Sequence, residues 1–216
     1  NLRCATCAQW GPSGYMIGQP TSVVRETVPL PVYQRMVEEI APIRPWIYIW
    51  GGEPFLYPGL VPLLRTMKEK GLIGSVVTNG FFLGQHAEEL VEIGWDSLAL
   101  SLDGTRQLHD SIRGIPGTFD RLMEAIETIQ ETKKRRGKTK PHITLVTTVS
   151  GKNAGHLDEI FDVEKGLVTG VRLRSLKERA SIIFVSHHLD EILAITDRVY
   201  VFKDGKNVAE RRTSET

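Results

Sequence analysis

Trp46-Ile47-Tyr48-Ile49-Trp50-Gly51-Gly52-Glu53-Pro54 is the stretch that decides the fold. Five consecutive apolar, β-favouring residues run directly into two glycines, an acid and a proline. A run of this kind suits a short strand buried on both faces, as in a parallel sheet. Upstream, residues 11 to 31 read as a loop rich in glycine and proline. Val32 to Ile40 then carries apolar positions at helical spacing, and Pro42 and Pro45 stop it. Downstream, Leu60 to Lys70 reads as a helix ended by Gly71, and Ile73 to Val77 as a strand. Gln85 to Ile93 is a helix ended by Gly94, and Ser97 to Leu102 a strand. Phe119 to Lys134 is a long amphipathic helix, Ile143 to Val149 a strand, and Leu157 to Val163 a short helix.

Strands and helices alternating at this rhythm imply right-handed βαβ crossovers, hence an α/β fold with a parallel sheet. Chemistry in such sheets gathers at the carboxyl ends of the strands. Gly51 to Pro54, Thr78 to Gly80 and Ser101 to Gly104 each follow a predicted strand, so they line one rim.

The first residues, Asn1-Leu2-Arg3-Cys4-Ala5-Thr6-Cys7-Ala8-Gln9-Trp10, hold the chain's two cysteines. A short irregular loop lets both sulfurs point at one metal centre. Two thiolates are not a complete site: a four-iron cluster takes at least three cysteines, and tetrahedral zinc takes four ligands. A redox pair or two ordinary thiols are the other readings of the same spacing. The two cysteines cannot form a disulfide framework, and they fit a reducing cytosol. A cytoplasmic protein is therefore expected.

Together these motifs resemble the radical S-adenosylmethionine (radical SAM) enzymes. Cys-Asn-Leu-Arg-Cys-x-x-Cys is a common form of that family's cluster loop, and this chain begins one residue after its first cysteine would stand. Gly51-Gly52-Glu53-Pro54 resembles the family's GGEP motif. Thr78-Asn79-Gly80 and Ser101-Leu102-Asp103-Gly104 resemble the ends of its third and fourth strands. The resemblance covers residues 1 to 164 and implies a partial (βα) TIM-like barrel. It implies two cofactors, a 4Fe-4S cluster and S-adenosyl-L-methionine, whose reductive cleavage starts a radical reaction. Cys4 and Cys7 would be the metal ligands. Gly51, Gly52, Glu53 and Pro54 would receive the methionine end of the cofactor, with Glu53 favouring its amino group. Asn79, Ser101 and Asp103 would meet the rest. Absence of the first cysteine would impair the activity of this chain, which by the same resemblance also lacks the first strand. The implied partners are an electron donor and an unidentified substrate, a peptide or a small molecule. Arg113 lies where a carboxylate clamp would sit, although a solvated arginine is the expected reading.

From about residue 171 the sequence resembles something else. Ser181 to Glu191, Ala194 to Val199 and Phe202 to Lys206 resemble the end of a sugar-importer ABC transporter ATPase, with His187 in the place of its switch histidine. Neither a Walker A loop nor an LSGGQ-like signature accompanies them, so no ATPase site is expected. The chain then reads as a chimera, 1-164 and 165-216, joined near residues 164 to 175. Its tail holds a helix through Arg179, a strand Ser181 to Val185, a helix Leu189 to Ile195, a strand Arg198 to Lys203, an Asp204-Gly205 hairpin turn and a return strand Asn207 to Arg211. A compact fold would pair Ile182 to Val185 beside the strand Ile143 to Val149.

Composition narrows the function further. Apolar residues at 41% and charged residues at 25% describe an ordinary globular chain. A formal net charge of +1 argues against a dedicated nucleic-acid binder. Lys133 to Arg136, with Lys138 and Lys140, reads as cations gathered at the negative end of a helix. His187 and His188 with Asp190 and Glu191 read as ordinary helix capping rather than a metal site. No apolar run approaches the roughly 20 residues that span a bilayer. The rival functions are a non-catalytic chimeric fragment, an ATP-binding transporter-associated protein and a CxxC thiol oxidoreductase.

Overall fold

The computed structural model of the chain describes residues 2–148, 150–156, 159–160, 198–203 and 206–212. Eight of the elements before residue 147 build one α/β unit: α2 (Leu30–Ile40), β1 (Trp46–Ile49), α3 (Leu60–Glu69), β2 (Ile73–Thr78), α4 (Ala87–Glu92), β3 (Ser97–Ser101), α6 (Thr118–Arg136) and β4 (His142–Val146). Two more were not expected. A single turn, α1 (Thr21–Val24), interrupts the stretch read as loop, and α5 (Arg106–Arg113) follows β3.

The four strands are parallel and lie in sequence order, each paired with the next. The register sets Tyr48 beside Ser75, Ser75 beside Ser97, and Ser97 beside His142. Because side chains alternate along a strand, one sheet face carries Ile47, Ile49, Val76, Leu98, Leu100, Ile143 and Leu145. This face packs against helix residues Leu64, Met67, Leu90, Leu122 and Ile129, all buried. Each such side chain contributes about 1.5–3 kcal/mol by leaving water.

The opposite face corrects one expectation. Trp46 and Tyr48 are 63% and 55% exposed, and Trp50, just past the strand, is 76% exposed. β1 is an edge strand among the described residues, and only its alternate residues Ile47 and Ile49 reach the helix layer. The all-apolar run therefore buries one face and not two.

Two local devices fix the rim. Gly80, just after β2, has φ +79° and would place a Cβ 2.4 Å from the Leu122 Cδ1 atom, so only glycine fits. The amino end of α6 begins after Gly117, which has no side chain to cap it. Asp110 on α5 caps it from outside: Oδ2 accepts the Gly117 amide at 2.6 Å, and Oδ1 accepts the Phe119 amide at 2.8 Å and the Thr118 hydroxyl at 2.7 Å. Burial pushes the Asp110 carboxyl up, but these three donors outweigh it and hold it below the usual value.

In the tail, β5 (Arg198–Lys203) and β6 (Lys206–Arg212) form an antiparallel pair with a register shift between Val201 and Phe202. The expected strand Ser181 to Val185, its pairing with Ile143 to Val149, the helices before and after it, His187, His188 and the Asp204-Gly205 turn lie outside the described residues. Of the helix expected over Leu157 to Val163, only 159–160 are described, as helical. Among the described residues no helix is long and apolar enough to cross a membrane.

Candidate functional site

The cysteine loop folds by two tight turns. The Cys7 amide donates to the Cys4 carbonyl at 3.1 Å, and the Gly11 amide to the Cys7 carbonyl at 2.9 Å. A Cβ on Gly11 would stand 2.4 Å from the Cys7 oxygen and 2.8 Å from that of Cys4, so the second turn requires glycine. The loop is tied to α5 by the Ala5 amide, which donates to the Ile112 carbonyl at 2.7 Å. Trp10 closes it: its amide donates to the Cys7 sulfur at 3.3 Å. Its indole nitrogen lies 3.2 Å from where a Cβ on Gly52 would stand.

This geometry places the two cysteines beside the strand ends. Cys4, Cys7, Gly51, Gly52, Glu53, Asn79, Ser101 and Asp103 all line one pocket of about 240 Å³. Pro54 does not line it; that residue opens a short 3₁₀ turn, Pro54–Leu56, behind the glycines. Around Gly51 a side chain would meet nothing within 4 Å, so the pocket lining is bare, open backbone there.

Glu53 is buried and braces the turn. Its Oε1 accepts the Phe55 amide at 3.1 Å and the Thr78 hydroxyl at 2.7 Å, and Oε2 accepts the Asn79 amide at 3.0 Å. One carboxylate thus joins the ends of β1 and β2. Asn79 lines the pocket and also forms a turn, its Oδ1 accepting the Phe81 amide at 2.9 Å.

Asp103 is 2% exposed. Its Oδ1 accepts the Thr148 amide at 3.1 Å, and Oδ2 pairs with Arg113 Nη2 at 2.7 Å. Burial pushes its carboxyl above the ordinary value, and Arg113 and the Thr148 amide only partly counter this. Arg113 was expected to be solvated, and the structure corrects that: its side chain is only 12% exposed. Nη1 faces the Cys4 sulfur at 3.7 Å, and its buried Nε makes no hydrogen bond. α5 carries it there because the helix buries His109 and Ile112 against the core. His109 accepts the Asp103 amide on Nδ1 at 3.2 Å. Burial first, then the Arg113 charge, lower its pKa to about 4. It is neutral at pH 7. Burial likewise raises the Cys4 thiol, with Arg113 working against the rise.

The basic run at the end of α6 is a bonded helix end. Arg135 and Arg136 pair with Glu88, at 2.5 and 3.0 Å, and Lys133 donates to the Pro141 carbonyl.

Comparison with known proteins settles the family. The radical SAM superfamily matches residues 1–163. The chain belongs to the radical SAM superfamily. An AdoMet-dependent heme synthase of Methanosarcina barkeri is 29% identical over 170 residues, 77% of this chain and 44% of that protein. A PqqA peptide cyclase of Ruegeria pomeroyi is 37% identical over 86 residues, 39% of this chain and 23% of that one. Among solved structures, Streptococcus suis SuiB aligns with a TM-score of 0.60 at 19% identity, covering 90% of this chain and 48% of that one. Native anSMEcpe with bound AdoMet aligns at 0.56 and 22%, covering 77% and 47%. These two likenesses establish the fold: a parallel α/β sheet consistent with a partial radical SAM barrel. The chain spans less than half the length of the curated relatives named here.

Radical SAM enzymes use a 4Fe-4S cluster and S-adenosylmethionine. The radical SAM chain fits both in part. Two thiols, Cys4 and Cys7, share one loop and line the same pocket as the bare backbone of Gly51. No third His, Cys, Asp or Glu joins them in a metal-sized group among the described residues.

Proposed function

We propose that this chain is the cofactor-binding portion of a radical SAM enzyme, with Cys4 and Cys7 as two of the cluster ligands. S-adenosylmethionine would lie across Gly51, Gly52, Asn79, Ser101 and Asp103. When bound, the cluster and its sulfonium partner supply a one-electron reductive cleavage that starts a radical reaction. The residues of the chain do the positioning. Gly51 leaves room for a ligand to reach the backbone. Glu53 holds the glycine turn against β2 and keeps lone-pair capacity for a cationic amino group, since a carboxylate accepts about four bonds. Ser101 offers a hydroxyl and Asp103 a buried carboxyl toward a ribose or a charged end. The observation that carries this reading is the convergence of both cysteines and three strand ends on one pocket.

Heme, peptide and GTP chemistry appear in the names of relatives, so the substrate is a small molecule or a peptide. An external electron donor and a cytoplasmic setting complete the reading. The tail, residues 165 to 216, is taken as a separate fragment resembling an ABC ATPase end. The superfamily match ends at residue 163 while the SuiB alignment reaches further. Limited proteolysis separates the two: rapid cutting between 165 and 180 that leaves an intact N-terminal piece means the tail never docks.

The test of the main reading is anaerobic reconstitution with iron and sulfide. The chain has two cysteines, one short of the three in the cluster loop that it resembles. Little stable cluster is expected as it stands, and more iron and broad visible absorbance once a cysteine is placed ahead of Asn1. Release of 5′-deoxyadenosine from S-adenosylmethionine would then follow reduction. A cysteine-extended chain that takes up no iron overturns the reading.

A further inference from the structure

Cys4 and Cys7 share a loop, yet their sulfurs take N–H donors from different sources. The Cys7 sulfur accepts the Trp10 amide at 3.3 Å, a bond made within the loop. The Cys4 sulfur faces Arg113 Nη1 at 3.7 Å, from 109 residues away in sequence. The second arm of that guanidinium is fixed at 2.7 Å from Asp103 Oδ2. Asp103 in turn is fixed by the Thr148 amide at 3.1 Å. The neighbours of Arg113 grip the same loop. The Ile112 carbonyl takes the Ala5 amide, and a Cβ on Gly114 would stand 3.2 Å from the Arg3 carbonyl oxygen. Residues 112 and 113 therefore hold residues 5 and 4, and residue 114 passes close to residue 3.

We propose that Arg113 is a positioning residue for Cys4: its planar fork, anchored on Asp103, aims that sulfur into the pocket and supplies its N–H donor. The two cysteines are then unequal ligands. Cys7 is set by its own loop, and Cys4 by the barrel wall. The inference rests on the reading of Cys4 as a cluster ligand given above. Arginine suits the task because two arms in a fixed plane can serve a carboxylate and a sulfur together. Lysine, a single point charge, cannot. Hydrogen bonds to cluster sulfurs also tune reduction potential, so the contact has an electronic consequence beyond placement.

Arg113→Lys tests this, since it keeps a cation against Asp103 and removes the second arm. In the metal-free chain, hydrogen exchange at Ala5 should quicken by about tenfold while amides of β3 and α6 stay unchanged. In the chain with a cysteine added ahead of Asn1 and reconstituted anaerobically, the cluster's midpoint potential should move to a more negative value. Should Arg113→Lys fail to fold, the paired variant Asp103→Asn with Arg113→Met strands no charge, and the same two shifts are expected in it. Unchanged Ala5 exchange together with an unchanged potential overturns the proposal. Faster exchange spread equally over the loop, β3 and α6 also overturns it, because Arg113 would then merely hold the core. If no cluster forms even in the parent, the ligand reading fails, and the exchange pattern still decides the positioning.

Discussion

Two buried aspartates flank β3 and have opposite electrostatic fates. Asp96 stands before the strand and Asp103 two residues after it; they are 4% and 2% exposed. Asp96 is saturated with donors: Lys140 Nζ at 2.5 Å, Lys68 Nζ at 2.7 Å and the Gly74 amide at 3.2 Å. Burial pushes its carboxyl up, but the two lysines and the amide outweigh it and the net is below the ordinary value. Asp103 has one cation and one amide, and burial wins. The amino end of the sheet is thus built for stability. The carboxyl end holds a carboxyl whose charge is incompletely compensated.

The most damaging way to probe this contrast is Asp96→Ala. It strands Lys68 near the core, while Lys140, half exposed, can turn to water. Breaking a buried pair from one side costs about 3 kcal/mol at the lower end of the known range, and a urea midpoint at pH 7 reads it. Next in size is the pH response of the neighbour of Asp103. The pKa of His109 falls from 6.5 to about 4 on folding. The unfolded chain therefore binds the extra proton between these values. His109 contributes fully above pH 6.5, and its contribution is lost as pH falls toward 4, about 2 kcal/mol by pH 5. Denaturation at pH 7.5 and pH 5 should show this slope, and His109→Gln should flatten it.

Asp103→Asn combined with Arg113→Met, which strands no charge, should cost only about 1 kcal/mol, since the amide oxygen can still accept the Thr148 amide. A loss as large as that of Asp96→Ala would break the comparison. Acid sharpens it, because the signs oppose. Asp96, with its lowered carboxyl, stabilises the fold above pH 3.8, and that contribution is lost as pH falls through its lowered value. Asp103, with its raised carboxyl, favours the fold below pH 3.8 and loses that contribution as pH rises through its raised value. Smallest of all is Glu88→Gln. Glu88 also faces two cations, Arg135 and Arg136, but in open solvent, and the urea midpoint should not move measurably.

Much of this was legible in the sequence, for physical reasons. Apolar runs bounded by glycine marked all four strands, and period-3.6 patterns marked α2, α3 and α6. The rim followed from the motifs that end the strands. What escaped was whatever depended on contacts made across the chain. α5 is largely polar and buries only His109 and Ile112, too few apolar positions to show a period. The burial of Arg113 follows from that helix and so escaped with it. The cap on α6 comes from Asp110, seven residues before Gly117, where no local cap pattern looks. The exposure of Trp46 and Tyr48 depends on what lies beside an edge strand, which a run of apolar letters does not encode.

The long reach of the contact between Arg113 and Cys4 bears on the order of assembly. Strands that are neighbours in sequence are neighbours in the sheet, so each can join as soon as its own crossover has formed. The cysteine loop must instead close over 109 residues, and the entropy of that closure is offset only once α5 is in place. The pocket is then the last part of the α/β unit to form. In a pulsed hydrogen-exchange refolding experiment, the Ala5 amide should gain protection after the amides of β2 and β3. Protection of Ala5 ahead of the sheet would reverse that sequence of events.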